Sequence, residues 1–333
     1  MEMSDQPFFI VGSQRSGTTL LQTYLDAHPD ICIPPESHIF EHFAGTYHSY
    51  GDLSDSANLL RFIRELLNDA TLRCWRLDVS AEDLAMQCQR RDVPGVIDCL
   101  FQWYAKREGK TRWGDKTPAH TLYLEDIHHF FPGARYIHLI RDGRDVAESL
   151  SRVYFGPNTV DRIALLWQRY ILAFQAFKKK IGPEQFLEIR FEDFLKDPEA
   201  IMQRICRFLE ISEITFNQAV PQTQRRKDYV ASDSIHGALS HQPDTSKIGV
   251  YQKKLSMRQI EIFEAVAGSE LKLYEYALQM ENPRGPTGIE KVRFFVTNYF
   301  LSLVRRVGKW QHLREVLQYK LRRMSKACPF KKT

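Results

Sequence analysis

The chain has 333 residues, 43% hydrophobic and 26% charged, the composition of a globular protein long enough for one large α/β domain with insertions or two smaller ones. No apolar run reaches the ~18 residues of a membrane-spanning helix; the longest, Phe294 to Val304, is interrupted by Thr297, Asn298 and Ser302. The net charge of +5 is uneven, because residues 284–333 hold 13 Lys and Arg against two Glu, a net +11 that leaves the first 283 residues at −6.

The first element is the run Phe8-Phe9-Ile10-Val11, which reads as a buried strand and breaks at Gly12. Leu20, Leu21, Tyr24 and Leu25 then recur at helical spacing, so the layout is strand, loop, helix. The loop Gly12-Ser13-Gln14-Arg15-Ser16-Gly17-Thr18-Thr19 gathers backbone N–H groups and the unpaired first N–H groups of the helix on one point, which favours a phosphate. It has the glycine spacing of a Walker A loop, but Thr18 stands where that motif needs lysine. Without that ammonium a nucleoside triphosphate loses its principal side-chain partner. Arg15 supplies positive charge instead, which suits a ligand with one phosphate and one further anionic group. An ordinary βα turn would use the same glycines; Arg15, Thr18 and Thr19 together weigh against it.

This loop and its continuation, Leu20-Leu21 through Asp26-Ala27-His28-Pro29-Asp30, resemble the nucleotide-dependent sulfotransferases, and most closely the tyrosylprotein sulfotransferase branch and its bacterial relatives. The resemblance implies that the loop binds the 5′-phosphosulfate end of the donor PAPS. The fold it implies is α/β, a P-loop-like, mainly parallel central sheet flanked by helices.

Ile31-Cys32-Ile33-Pro34-Pro35-Glu36-Ser37 reads as a short strand running into a proline-stiffened turn, which delivers Glu36 from a loop at the strand end. In the related enzymes a glutamate at this place takes the proton of the acceptor hydroxyl, so Glu36 is the expected base. His38 and His42 are expected to line a pocket or pack; no metal-ligand spacing supports them and no metal is expected. Residues from about 52 to 108 read as a helical insertion, with Leu59, Leu60, Ile63, Leu66 and Leu67 on one face and Val96, Ile97, Leu100, Phe101 and Tyr104 on another. That insertion is expected either to wall the acceptor site or to be a peripheral packing module.

Arg112-Trp113-Gly114-Asp115-Lys116-Thr117-Pro118 reads as a strand ending in a turn. The resemblance implies that Lys116 stabilises charge growing on the bridging oxygen as the sulfur–oxygen bond breaks. Asp115 and His120 are the rival bases. Ala134 to Ile140 alternates as a central strand, Asp142 is a natural helix cap, and Ser149 lies about two turns into the next helix. The block resembles the family's 3′-phosphate site, with Arg141 and Ser149 as its ligands. On charge pattern alone Arg141, Asp142, Arg144 and Asp145 would also make a surface salt-bridge ladder.

A long helix is predicted over about 159–180, a strand over 185–191, and further helix to Leu209. Phe191 stands where the relatives usually have tyrosine; it can stack or pack but cannot donate that residue's hydrogen bond near the nucleotide. Residues 221–243 read as a loop or lid. Ser246 to Ser256 resembles the family's C-terminal donor-binding segment, which makes Lys247, Gly249 and Lys253 candidates for closing over the 3′-phosphate.

The division expected is a transferase domain over 1–282 and a basic amphipathic helical extension over 283–333, beyond the linker Pro283-Arg284-Gly285-Pro286. The extension suits docking onto the acidic body, a peripheral contact with an anionic membrane, or a homodimer contact. The first apolar run follows two acids and no basic segment, and the six cysteines are scattered without C-x-x-C pairs, so a cytoplasmic location with reduced thiols is expected. The expected activity is transfer of a sulfuryl group from PAPS to an unidentified hydroxyl or amine acceptor, releasing PAP, with no nucleic acid partner. The alternatives are a P-loop kinase, disfavoured by the missing lysine, and a non-catalytic PAP-binding, membrane-docked module.

Overall fold

The computed structural model describes residues 6–43, 45–153, 156–213 and 243–299. Its centre is a five-stranded parallel sheet in the order β2-β3-β1-β4-β5, with β1 at Phe8–Val11, β2 at Ile31–Cys32, β3 at Arg112–Lys116, β4 at Arg135–Ile140 and β5 at Phe186–Arg190. All four residues of β1 are buried, as its unbroken apolar sequence requires of a central strand covered on both faces. Ile10 lies opposite Lys116 on β3 and opposite Ile137 on β4, so the loops that follow these three strands leave the same edge side by side. The chain turns to opposite sides of β1 there, the place where open parallel sheets take ligands.

Helices cover both faces. On one side α1 (Thr18–Leu25), α9 (Phe191–Lys196) and α10 (Pro198–Leu209) bury Leu21, Tyr24, Phe194 and Ile205 against Phe8, Ile10, Ile137 and Leu139. On the other, Phe9, Trp113 and Tyr136 meet the helices between β2 and β3: α3 (Ser56–Asn68), α4 (Ala81–Gln87) and α5 (Val93–Arg107) follow a short α2 (Ile39–Phe43). Phe101 of α5 stacks on Trp113 of β3 at 4.3 Å, which ties the insertion to the sheet. After α6 (Leu124–Phe130), helix α7 (Gly143–Ser151) starts at Asp142, whose side chain accepts from Arg144 N, so the expected cap is present.

The long helix α8 (Val160–Phe177) packs with α7 and the C-terminal helices α11 (Tyr251–Lys254) and α12 (Met257–Leu273) around Trp167, Phe263 and Leu271. Ser256 and Gln259 form a reciprocal capping box at the start of α12. A last described helix covers 288–299. The loop expected at 221–243 lies outside the described residues except for Pro243, as do residues 300–333 of the extension. No described helix is long and apolar enough to cross a membrane.

Candidate active site

The loop between β1 and α1 is shaped by two glycines that only glycine can satisfy. Gly12 has φ +148° and a Cβ there would meet the backbone oxygen of Leu139 at 2.3 Å; Gly17 has φ +90° and its Cβ would meet the Phe191 ring at 2.2 Å. Arg15 also takes a left-handed φ of 65°, and the Ser13 and Ser16 hydroxyls hold each other at 2.6 Å across the turn. Gly17 caps α1 without a side-chain hydrogen bond, which leaves the first N–H groups of the helix without a side-chain partner at the mouth of the loop. Gly12 N is not one of the free donors: it donates to Thr121 Oγ1 at 2.9 Å. Thr18 is buried, and Gln14 Oε1 is buried without a hydrogen-bond partner among the described residues.

The block after β4 comes straight to this loop. Arg141 Nη1 donates to the Arg15 carbonyl at 3.1 Å, and Arg15 Nε donates to Ser149 Oγ at 3.0 Å. The residues expected to form the two anion pockets therefore adjoin, with Arg15 leaning onto Ser149. The Arg141 guanidinium lies 4.8 Å over the Phe191 ring, and its Nε is buried with no hydrogen-bond partner among the described residues. Burial, and then the charges of Arg141 and Arg152, lower the pKa of Arg15, and among the described residues it has no carboxylate partner. Arg141 and Arg152 each have a carboxylate near, Asp145 at 3.9 Å and Glu148 at 2.7 Å, so among the described residues Arg15 is the cation of this cluster whose charge is left to stabilise an anion.

The C-terminal segment is fastened to the same place by a residue that charge pattern alone did not single out. Asp145 accepts from Gly249 N and Tyr251 N, both at 2.8 Å, and Arg141 Nη2 donates to the Lys247 carbonyl at 2.8 Å. Burial raises the Asp145 carboxyl despite these donors and Arg141. Gly249 thus joins the cluster through its backbone. Lys247 reaches it only by its carbonyl, since its ammonium lies 3.8 Å from Asp244, and Lys253 is exposed. The surface-ladder reading of 141–145 is overturned: Arg144 is 1% exposed and bonds Asp142 at 2.8 Å and Glu264 at 2.5 Å beneath the Tyr251 ring.

Beside the loop, Lys116 at the end of β3 pairs with Glu36 Oε1 and donates to Thr19 Oγ1 at 3.2 Å. The Lys116 side chain is 3% exposed and that of Glu36 33%, so the pair is open on the carboxylate side. Burial works to raise the Glu36 carboxyl, but the Lys116 ammonium, followed by His38, outweighs it and holds the group at about 2. The turn carrying Glu36 is fixed from below, where Ser37 Oγ donates to Asp115 at 2.7 Å and Ser37 N donates to Thr117 Oγ1 at 3.0 Å. Asp115 and His120, the rival bases, face each other at 2.9 Å and are each 1% exposed. Burial opposes the Asp115 charge, yet His120, Ser37 and Thr117 together lower its pKa. His38, Glu41 and His42 bring donor atoms within 4.8 Å of one another, but His38 is taken up by two carboxylates and His42 by Asp69 at 2.9 Å.

Thr121, Asp145 and Ser37 thus tie the site together by long-range hydrogen bonds, and their local sequence does not indicate these partners. Phe191, expected to stack or pack without the relatives' hydroxyl, supplies a ring between Gly17 and Arg141.

A model described as the sulfotransferase family matches residues 7–215. A putative protein-tyrosine sulfotransferase of Caenorhabditis briggsae is 29% identical over 213 residues, 62% of this chain and 66% of its own. Nodulation protein NoeE of Sinorhizobium fredii is 24% identical over 307 residues, 83% of this chain and 68% of its own. The chain thus spans about two thirds of the length of these relatives. Among solved structures, the sulfotransferase domain from the curacin biosynthetic pathway superposes with a TM-score of 0.56 at 20% identity, covering 81% of this chain and 98% of that one. That likeness supports the parallel α/β fold.

Proposed function

The chain belongs to the sulfotransferase family, and from that premise we propose that it transfers a sulfuryl group from PAPS to an acceptor hydroxyl or amine and releases PAP. The observation that carries this reading is the meeting of Arg15, Arg141 and Ser149 at the edge where Lys116 and Glu36 also meet. The loop 12–19 holds the 5′-phosphosulfate, while Arg141 and Ser149, with the Gly249 segment closed by Asp145, hold the 3′-phosphate. Glu36 takes the acceptor proton as the acceptor oxygen bonds sulfur. Lys116, Arg15 and the loop N–H groups stabilise the charge left on the departing phosphate oxygen. The family match gives the kinase alternative no support.

Incubation with 35S-labelled PAPS and a panel of peptide tyrosines, sugars, lipid alcohols and small alcohols, read by mass spectrometry, tests the reading. Labelled product with stoichiometric PAP is expected; magnesium-dependent ATP binding with no transfer would overturn it. Arg141→Ala should weaken PAP by about 10–100-fold, the worth of a charge-assisted hydrogen bond to phosphate. Adenosine 5′-phosphosulfate, which lacks the 3′ group, should lose far less in a calorimetric titration, and equal losses would discredit the assignment.

We propose residues 1–282, with the insertion at about 52–108, as the transferase domain and residues 283–333 as an extension whose described part docks on it. Support comes from its described part, where Arg258 holds Glu290 at 2.7 Å, Asn298 donates to Thr159 at 2.8 Å and Phe294 packs on the α8–α12 cluster. Removing 284–333 should therefore lower the melting temperature and promote aggregation, followed by light scattering. A stable, monodisperse truncation that had lost only binding to anionic vesicles would instead favour a membrane role.

A further inference from the structure

The carboxylate read above as the base is gripped from two sides. Lys116 holds Glu36 Oε1, while His38 Nε2 lies 3.2 Å from Glu36 Oε2 and its other nitrogen, Nδ1, lies 2.6 Å from Glu41 Oε2. An imidazole with a carboxylate on each nitrogen uses both as N–H donors and is the cation. The His38 backbone has φ 52°, a left-handed conformation that a non-glycine residue keeps only when its surroundings demand it. That turn brings the ring back to a residue two positions earlier. The His42 ring stacks on it at 5.6 Å and is itself anchored to Asp69.

We propose that His38 is a positioning residue for sulfuryl transfer, gripping Glu36 Oε2 so that Oε1 faces the acceptor when Lys116 turns to the leaving oxygen. The proposal rests on the reading of Glu36 as base. The acceptor proton passes to Glu36 Oε1 as the acceptor oxygen bonds sulfur. The electron pair of the broken sulfur–oxygen bond leaves on PAP, and His38 keeps its own proton.

The charged and titratable groups around the ring are Glu36 and Glu41 in direct contact, His42 with Asp69 on its face, and Lys116 beyond Glu36. Tyr170 of α8 feels the charges of both glutamates. Burial works against the His38 cation, but its bonds to Glu36 and Glu41 carry its pKa up to about 9. The charged, two-sided grip is therefore present below that pH and is weakened as pH rises through it, because the neutral ring has one N–H left for two carboxylates.

The test is kcat against pH with PAPS and the best acceptor of the panel, comparing wild type with His38→Ala, His38→Gln and Glu41→Gln. His38→Ala should lower kcat by about 10²-fold, the cost of a misplaced reacting group, with KM for PAPS within about twofold. His38→Gln, a neutral donor, should recover about tenfold of that loss and abolish the limb near pH 9. Glu41→Gln should move that limb to lower pH. Wild-type kcat with an unchanged limb in the His38 variants would overturn the proposal, and should those variants fail to fold, an unmoved limb in Glu41→Gln would do the same. An inactive Glu36→Gln beside unaffected His38 variants sinks this inference alone, whereas an active Glu36→Gln sinks the base reading beneath it.

Discussion

Exchanging Glu36 for Gln is expected to cut kcat by about 10²–10⁴-fold, the range of a lost general base, while PAP affinity stays within about twofold. The amide oxygen can still accept from Lys116, and the turn beneath, held by Ser37 on Asp115, is untouched, so only the proton-accepting charge is removed. Single-turnover rates with labelled PAPS and a calorimetric PAP titration separate the two effects. Unchanged turnover would sink the assignment. Asp115 and His120 are sealed against each other below the turn, which argues against either standing in. The paired carboxyl also leaves a pH signature. Its folded pKa, about 2, lies below its ordinary value, so its contribution to stability is full above the unfolded pKa and is lost as pH falls toward 2.

Replacing Arg144 by Ala is expected to destabilise the fold by about 3–5 kcal/mol, because a buried charge network loses its only described cation. Arg144 bonds Asp142 through Nε at 3.0 Å and Nη2 at 2.8 Å, Glu264 through Nη1 at 2.5 Å and the Ala277 carbonyl at 2.9 Å. Asp142 and Glu264 would be left buried with their charges uncompensated. Lys in this place cannot reproduce the forked geometry and should recover only part of the loss. Urea unfolding monitored by tryptophan fluorescence measures this directly, and a loss below about 1 kcal/mol would contradict the network's importance. PAP affinity should fall as well. Arg144 joins α7 to α12, and the neighbouring Asp145 fastens Gly249 and Tyr251 over the proposed donor site.

Strand, loop and helix around Gly12–Thr19, the cap at Asp142 and the long helix α8 were legible because each depends on neighbours in the chain: an apolar period, a capping side chain, a glycine at a turn. The insertion's helices were legible by the same periodicity, though the short α2 and α4 were not, since five and seven residues carry too little pattern. Burial of charge was misread in the ladder alternative for 141–145. Alternating Arg and Asp look alike in sequence whether they face water or, like Arg144, another helix that brings Glu264 from 120 residues away.

By itself the sequence determined the family resemblance, the parallel α/β plan and a glycine-turned strand–loop–helix lacking the Walker lysine, since these reside in contiguous residues and local geometry. Only the tertiary structure decided that Arg15 leans onto Ser149, that Asp145 fastens Gly249, and that Glu36 sits between Lys116 and His38. Most of those contacts join residues scores of positions apart, and His38 reaches Glu36 through a left-handed turn. They exist because the parallel register of β1, β3 and β4 sets their following loops side by side, a juxtaposition no one-dimensional pattern encodes.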